Sequence, residues 1–312
     1  MKRLYEINGQ GKHMSDQPET HITSETILLP AIKSWEYYLQ DQGRSRFTLK
    51  AFCGDLYLFA SFFSPDTTIG SITEKDINRF LDWLVKERGI PCSPKSLSRR
   101  ITSVKSFFRW LTQTGRLTSD PAEKVLQKSV ISPLPQVLNP DEELKVIEAA
   151  TAQKNPPKND PRSYLLVTLL LSTGIKKGEC LALTLNHLDV EDPQNASFYV
   201  RYAGSSNRYK ERKISLTRDW VEVFQEYKTK YAPAEQVFPW SPRRLEYLLE
   251  DLGVEAGLDK HLSFDMCRWT SALNDWTSGM DHELLRQKLG ISKIQWREIS
   301  MKLRLLAGED QA

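Results

Sequence analysis

The chain is poor in the features that announce a metal, redox, membrane or nucleotide protein. Its four cysteines, Cys53, Cys92, Cys180 and Cys267, stand far apart with no CxxC or Cys/His ligand spacing. Scattered thiols of this kind are reduced side chains of a cytoplasmic protein rather than a zinc site or a disulfide framework, so neither a metal nor any other cofactor is expected. No apolar run reaches the roughly 20 residues that cross a bilayer, and the N-terminus lacks the hydrophobic segment of a signal peptide, so no membrane partner is expected. GxSxG, HExxH, a P-loop and GxGxxG are missing, which removes the commonest hydrolase, metalloprotease and nucleotide-binding chemistries. Charge of one sign is scarce as well: 43 Lys and Arg against 40 Asp and Glu leave a net charge of +3. Any binding to a polyanion must therefore come from local clusters. No repeat of solenoid period is visible.

What is present is helical text in two blocks, as expected for 312 residues, since single cores stop growing at roughly 250–300. Residues 1–23 are polar and aperiodic, with a second methionine at Met14, and read as a flexible arm or leader. From Ser24, "SETILLPAIKSWEYYLQDQG" places Ile27, Leu28, Ile32, Trp35, Tyr38 and Leu39 near a 3.6-residue period, with Ser24 to Thr26 offering an N-cap. "RSRFTLKAFCGDLYLFASFFS" repeats the pattern. "TEKDINRFLDWLVKERG" opens with a Thr73 to Asp76 capping series and stops at Gly89, and "SPKSLSRRITSVKSFFRWLTQTG" opens on Ser-Pro and stops at Gly115. Residues 24–116 thus form a helical bundle with Ile101, Val104, Phe107, Phe108 and Leu111 turned to its core. Residues 117–139, punctuated by Pro121, Pro133 and Pro135, read as a linker, and residues 140–312 as a second domain. There, "PRSYLLVTLLLSTGIKKGECLAL" is a nearly all-apolar central helix. "ASFYVRYAGSSNRYKERKISLT" alternates about a Gly-Ser-Ser-Asn turn as a β-hairpin does, and helices follow from Arg218.

Two basic sets stand out. Arg99, Arg100, Lys105 and Arg109 lie on one helix, with Ser93, Ser96 and Ser98 near its start; side-chain charge and N-terminal amides together suit phosphate contacts. Arg201, Arg208, Lys210, Arg212 and Lys213 lie on the hairpin, where alternation would gather several charges on one side. Either set alone also reads as ordinary solvated surface. As a pair in two linked domains, they suit a clamp around double-stranded DNA. Cys267 reads as a buried structural thiol despite the nearby His261, and His187 and His282 as surface or capping residues.

The order of these features resembles the tyrosine recombinase or phage integrase family over about residues 24–304. "SRFTLKAFCGDLYLF", with Ser45, Thr48, Asp55 and Leu56, is similar to one family segment, and the helix ending at Asp120-Pro121-Ala122 to the DNA-facing one. "LLLSTGIKKGECLALTLNHLDV" resembles the turn that bears the first catalytic Arg. "YVRYAGSSNRYKERKISL" resembles the Lys-bearing hairpin, and "DMCRWTSALNDWTSGMDHELLRQKLGI" the block of the second Arg. The resemblance implies a mainly α protein: a helical, SAM-like core-binding domain followed by an α+β catalytic domain with a small antiparallel sheet. It also implies a tyrosine that attacks a DNA phosphate, assisted by two Arg, a Lys and two His-type residues.

Position by position, that machinery is altered. The first Arg is Lys176, which keeps charge but loses the bidentate fork. The hairpin Lys falls near Ala203, with Lys210 a few residues on; the first His is Asp265; the second Arg remains as Arg268; the second His is Ile291; and Ser300 stands where the nucleophile belongs. The last tyrosine in the chain is Tyr247, ahead of the whole block. The expected function is that of a DNA-binding relative without strand cleavage, an architectural or regulatory factor, holding DNA through Arg99, Arg100, Lys105, Lys176, Arg208, Lys210, Arg212 and Arg268. The alternatives are an active recombinase with a non-standard nucleophile, and a helical protein-interaction scaffold. The amphipathic start of "SMKLRLLAGEDQA" suits either self-association or packing on its own domain, and an active relative is a further candidate partner.

Overall fold

A computed structural model describes residues 22–127 and 133–309, and the chain divides between Ser132 and Pro133 into two compact units. The N-terminal arm before residue 22 and the middle of the proline-containing stretch lie outside the described residues.

The first unit is a bundle of α1 (Leu28–Asp41), α2 (Arg46–Ala60), α3 (Glu74–Lys86) and α4 (Pro94–Gln113). Local signals set most of its helix starts. Thr73 and Asp76 close a reciprocal capping box on α3, and Ser45 and Ser93 cap α2 and α4 through the amides of Thr48 and Ser96. Helix α1 departs from expectation: its N-cap is Ile27, with no side-chain cap. The amide of Leu28 instead donates to the Thr67 carbonyl at 3.1 Å, beside an isolated bridge between Ile27 and Thr68. A tertiary partner thus does the work that Ser24 to Thr26 seemed placed to do. Trp35, Leu56, Phe59, Phe80, Phe107 and Phe108 are fully buried, and Phe59 meets Phe80 and Phe108 edge-to-face at 5.0 and 6.0 Å. Ala122 and Val125 join this core, and the Lys105 ammonium donates to the Val125 carbonyl at 2.6 Å, so the start of the proline-containing stretch packs on the bundle.

The second unit holds α5 (Pro140–Lys154), α6 (Arg162–Thr173), α7 (Lys177–Leu181), β1 (Leu188–Asp189), β2 (Ser197–Val200), β3 (Arg212–Ser215), α8 (Arg218–Tyr231), α9 (Pro242–Glu255), α10 (Phe264–Thr277), α11 (His282–Lys288) and α12 (Lys293–Leu306). The apolar α6 is central, as its sequence predicts, but the helix expected over residues 161–183 breaks at the left-handed Gly174 into α6 and α7. Leu165, Leu166, Val167, Leu169 and Leu170 are fully buried, and α5, α8, α9 and α10 pack around α6. The strands form an antiparallel sheet in the order β1-β2-β3, with Phe198 opposite Ile214 and Val200 opposite Arg212. The hairpin connection is wider than a Gly-Ser-Ser-Asn turn, because a 3-10 segment, Ser205–Lys210, fills it. Leu303 of α12 is buried with Trp276, Leu285, Leu289 and Ile291, so the C-terminal helix packs on its own unit. The fold is therefore mainly α, with a helical first unit and a second unit that adds one small antiparallel sheet.

Candidate functional site

The site is built where α6 stops. Gly174 ends that helix in the left-handed region (φ 60°), and the chain turns so that Lys176 becomes the N-cap of α7. A Cβ on Gly174 would lie 3.0 Å from the Leu289 side chain and 3.2 Å from the Ser271 hydroxyl, so α11 and α10 press closely on the turn. One turn into α7, Glu179 accepts the Lys176 amide at 2.9 Å and the hydroxyl of Tyr202. Arg212 crosses from β3 to grip the same carboxylate with both prongs of its guanidinium, at 3.1 and 2.8 Å.

Three cations from three elements then converge on the end of α11. Arg212 Nε donates to the Lys288 carbonyl at 2.5 Å, Arg268 Nη2 to the Leu289 carbonyl at 2.7 Å, and Lys176 Nζ to the Gly290 carbonyl at 2.8 Å. The other prong of Arg268 donates to the Gly174 carbonyl, tying α10 to the α6–α7 turn. These are successive orphan acceptors at the negative end of a helix, where charge-assisted bonds are strongest. Gly290 is left-handed (φ 59°), and a Cβ there would sit 2.5 Å from Arg212 Nη1, so any side chain would have to displace the guanidinium.

Crowding of like charge shapes the electrostatics. Burial lowers the Lys176 ammonium to about 8 against partial support from Glu179, and Arg268, Arg212 and Lys210 lower it further. Burial likewise brings Arg268 down to about 10. Burial works to raise the Glu179 carboxyl, but the Arg212 hydrogen bonds and charge, together with Tyr202 and the Lys176 amide, hold it at about 2. Lys176, Asp265 and Arg268 also line a cleft of about 970 Å³, bordered by Arg243, Tyr247 and Phe264.

The remaining positions fall as follows. Ala203 is exposed in the hairpin loop, and Lys210 is the loop cation near enough to Lys176 to depress it. Ile291 is buried among the apolar side chains of α10 and α12. The Ser300 hydroxyl donates to the Arg297 carbonyl of its own helix, and no histidine or carboxylate bonds to it among the described residues. Cys267 is buried with its thiol pushed up to about 12, as expected of a structural thiol, and the exposed His261 faces Glu250 instead. His187 accepts the Thr184 amide, and His282 stacks on Trp276 with ring centroids 4.1 Å apart.

The hairpin charges do not share a side. Arg212 and Lys213 are neighbours on one strand, and the pleat sends Arg212 inward to Glu179 and Lys213 outward to Asp189. Arg201 pairs with Glu211, while Arg208 is exposed. On α4, Arg99 donates to Asp55 at 2.7 Å, Arg100 lies 3.6 Å from the same carboxylate, and Ser103 donates to it at 2.9 Å. Asp55 is buried, and burial raises its carboxyl above the ordinary range against the pull of Ser103, Arg99 and Arg100. Arg99, Arg100 and Lys105 therefore serve the bundle's interior, while Arg109 is exposed. The sequence reading missed Glu179, Tyr202 and the carbonyls of residues 288–290; the acid three residues after Lys176 was the one available signal.

Known proteins resemble this chain over most of its length. A family model described as "Phage integrase, N-terminal SAM-like domain" matches residues 32–115, and that of the "Phage integrase family" matches residues 136–299. The chain belongs to the phage integrase family. The tyrosine recombinase XerC of Mycobacterium bovis (strain BCG / Pasteur 1173P2) is 32% identical over 177 residues, covering 55% of this chain and 56% of that protein. The match thus spans little more than half the length of that relative. XerC of Mycobacterium sp. (strain KMS) is 26% identical over 300 residues, covering 89% of this chain and 96% of that protein. Two solved structures share the integrase fold at a TM-score of 0.69 each. One is a lambda integrase tetramer bound to a Holliday junction (18% identity; 89% of this chain, 78% of that one). The other is the XerH site-specific recombinase bound to a palindromic difH substrate (17% identity; 93% and 91%). The family resemblance read from motif order is thereby confirmed, as is the mainly helical, two-part architecture.

Proposed function

We propose that this integrase-family chain binds double-stranded DNA without cutting it and acts as an architectural or regulatory factor, either self-associated or beside an active relative. The observation that carries this reading is the fate of the cations at the family's catalytic positions. Lys176 and Arg268, with Arg212, are spent on the chain's own carbonyls and on Glu179, and among the described residues no histidine or carboxylate bonds to the hydroxyl of Ser300. A serine hydroxyl without a general base is a poor nucleophile, and losing even one charge-stabilising donor costs about 2.7–4 kcal/mol of transition-state stabilisation. Duplex binding tolerates such losses because it is spread over many phosphate contacts. The XerC relatives carry the name of tyrosine recombinases, and the lambda integrase and XerH structures hold DNA, which supports DNA as the ligand here.

The interaction-scaffold reading draws support from one observation, the inward commitment of Arg99, Arg100 and Lys105. A salt series with a fluorescent duplex separates the two. Binding that weakens steeply between about 50 and 200 mM salt supports the DNA reading, and no binding at low salt supports the scaffold. A nicked duplex in the same experiment is expected to yield no protein adduct on a denaturing gel. An adduct overturns the non-cleaving reading, and its loss in Ser300→Ala then identifies the nucleophile.

A further inference from the structure

The first unit has a groove of its own, about 340 Å³, between α1, α2 and α4. Its wall carries Tyr38 and Trp110, stacked with centroids 5.6 Å apart, and Tyr38 as a residue is 39% exposed. Arg44, Arg109, Thr48 and Ser106 also line it, and among the described residues no carboxylate does. Among the described residues neither guanidinium forms an ion pair, whereas Arg99 and Arg100, on the same unit, share Asp55. Arg109 also lines a second hollow with Asp120 and Glu123, without an ion pair among the described residues.

We propose that this groove holds one unpaired nucleotide of single-stranded DNA, its base against the Tyr38–Trp110 pair and its phosphate on Arg44 and Arg109. The proposal rests on the DNA-binding reading above and extends it to a second form of the ligand. A duplex hides the faces of its bases and offers only edges and phosphates. An exposed aromatic ring beside free guanidiniums is of most use to a strand whose bases are unstacked. The hydroxyls of Thr48 and Ser106 are neutral partners for either the base or the backbone, and Arg44 and Arg109 give the groove a cationic edge, Asp120 and Glu123 lining the adjoining hollow rather than the groove itself.

The test is fluorescence anisotropy of the full chain with a labelled oligothymidylate of about 20 nucleotides and, separately, with a duplex of the same length. Tyr38→Ala is expected to weaken strand binding roughly five- to hundredfold, the stacking range of one base on one ring, while Tyr38→Phe keeps it. Arg44→Gln with Arg109→Gln is expected to weaken it at least tenfold and to flatten its salt dependence. Tyr38→Ala should leave duplex affinity within about threefold. A strand affinity unmoved by Tyr38→Ala in a protein that melts normally overturns the proposal. So does a chain that binds duplex but not the strand, an outcome that leaves the DNA-binding reading intact. Failure to bind either ligand at low salt overturns both.

Discussion

Arg212 lies flat across the carboxylate of Glu179, Nη1 3.1 Å from Oε1 and Nη2 2.8 Å from Oε2, with side chains only 9% and 2% exposed. Removing one partner of such a pair strands a buried charge. Arg212→Ala is therefore expected to lower the unfolding free energy of the second unit by about 3–5 kcal/mol in urea, and Arg212→Lys to recover only part, since an ammonium has no fork. A loss under about 1 kcal/mol would show that water reaches the carboxylate.

Acid should find the same pair. The Glu179 carboxyl sits at about 2 in the folded chain against an ordinary 4.5. A depressed acid stabilises the fold above its unfolded value and loses that contribution as pH falls toward the folded one. Stability should therefore decline between about pH 4.5 and 2, and Glu179→Gln should remove that part of the decline. Identical acid profiles for wild type and Glu179→Gln would contradict the assignment.

Alkali should have the opposite effect through Lys176. Its folded value of about 8 lies below the ordinary 10.5, so the unfolded chain binds more protons between the two, and stability should rise with pH across that window. Lys176→Met should flatten the slope. A slope unchanged by the substitution would place its origin elsewhere.

Gly290 tests the closeness of the packing. An added Cβ meets Arg212 Nη1 at 2.5 Å and forces a left-handed conformation on an L-residue, so Gly290→Ala should cost at least about 2 kcal/mol. Gly279→Ala, equally left-handed (φ 82°) but with open space around its Cβ position, should cost only the conformational part, about 1–2 kcal/mol. Equal losses in thermal melts would mean that Arg212 yields freely.

Thiol labelling checks the cores. Cys53, Cys180 and Cys267 are buried and burial raises all three, to about 11 for Cys53 and about 12 for Cys267. Cys92 alone is partly exposed. A thiol reagent at neutral pH should modify one cysteine quickly in the native chain and four after unfolding. Rapid modification of two or more in the native state would show that a core opens to solvent.

Most helix starts and both cores were legible in the sequence because they follow from local chemistry: the Thr73–Asp76 box, the Ser93-Pro94 start of α4, the apolar residues of α6. The start of α1 was not, since the partner of its first amide is the Thr67 carbonyl some forty residues away. The candidate site was half legible. Lys176, Arg212 and Arg268 were visible as charges, but the acceptors that orient them are backbone carbonyls of residues 288–290, and every residue has a carbonyl. Asp55 was visible only as half of an Asp-Leu pair; that it would turn Arg99 inward depends on the packing of α2 against α4.

The grip on α11 also fixes an order of events in time. Lys176 and its acceptor at Gly290 are 114 residues apart, and Arg212 and Lys288 are 76 apart. Loops of that length close slowly and late. On a ribosome, α7 and the hairpin emerge with Glu179 as the one shared partner of Lys176 and Arg212, and both wait for α11 for their carbonyl acceptors. The second unit is thus expected to mature from its apolar centre outward, with the polar latch closing last.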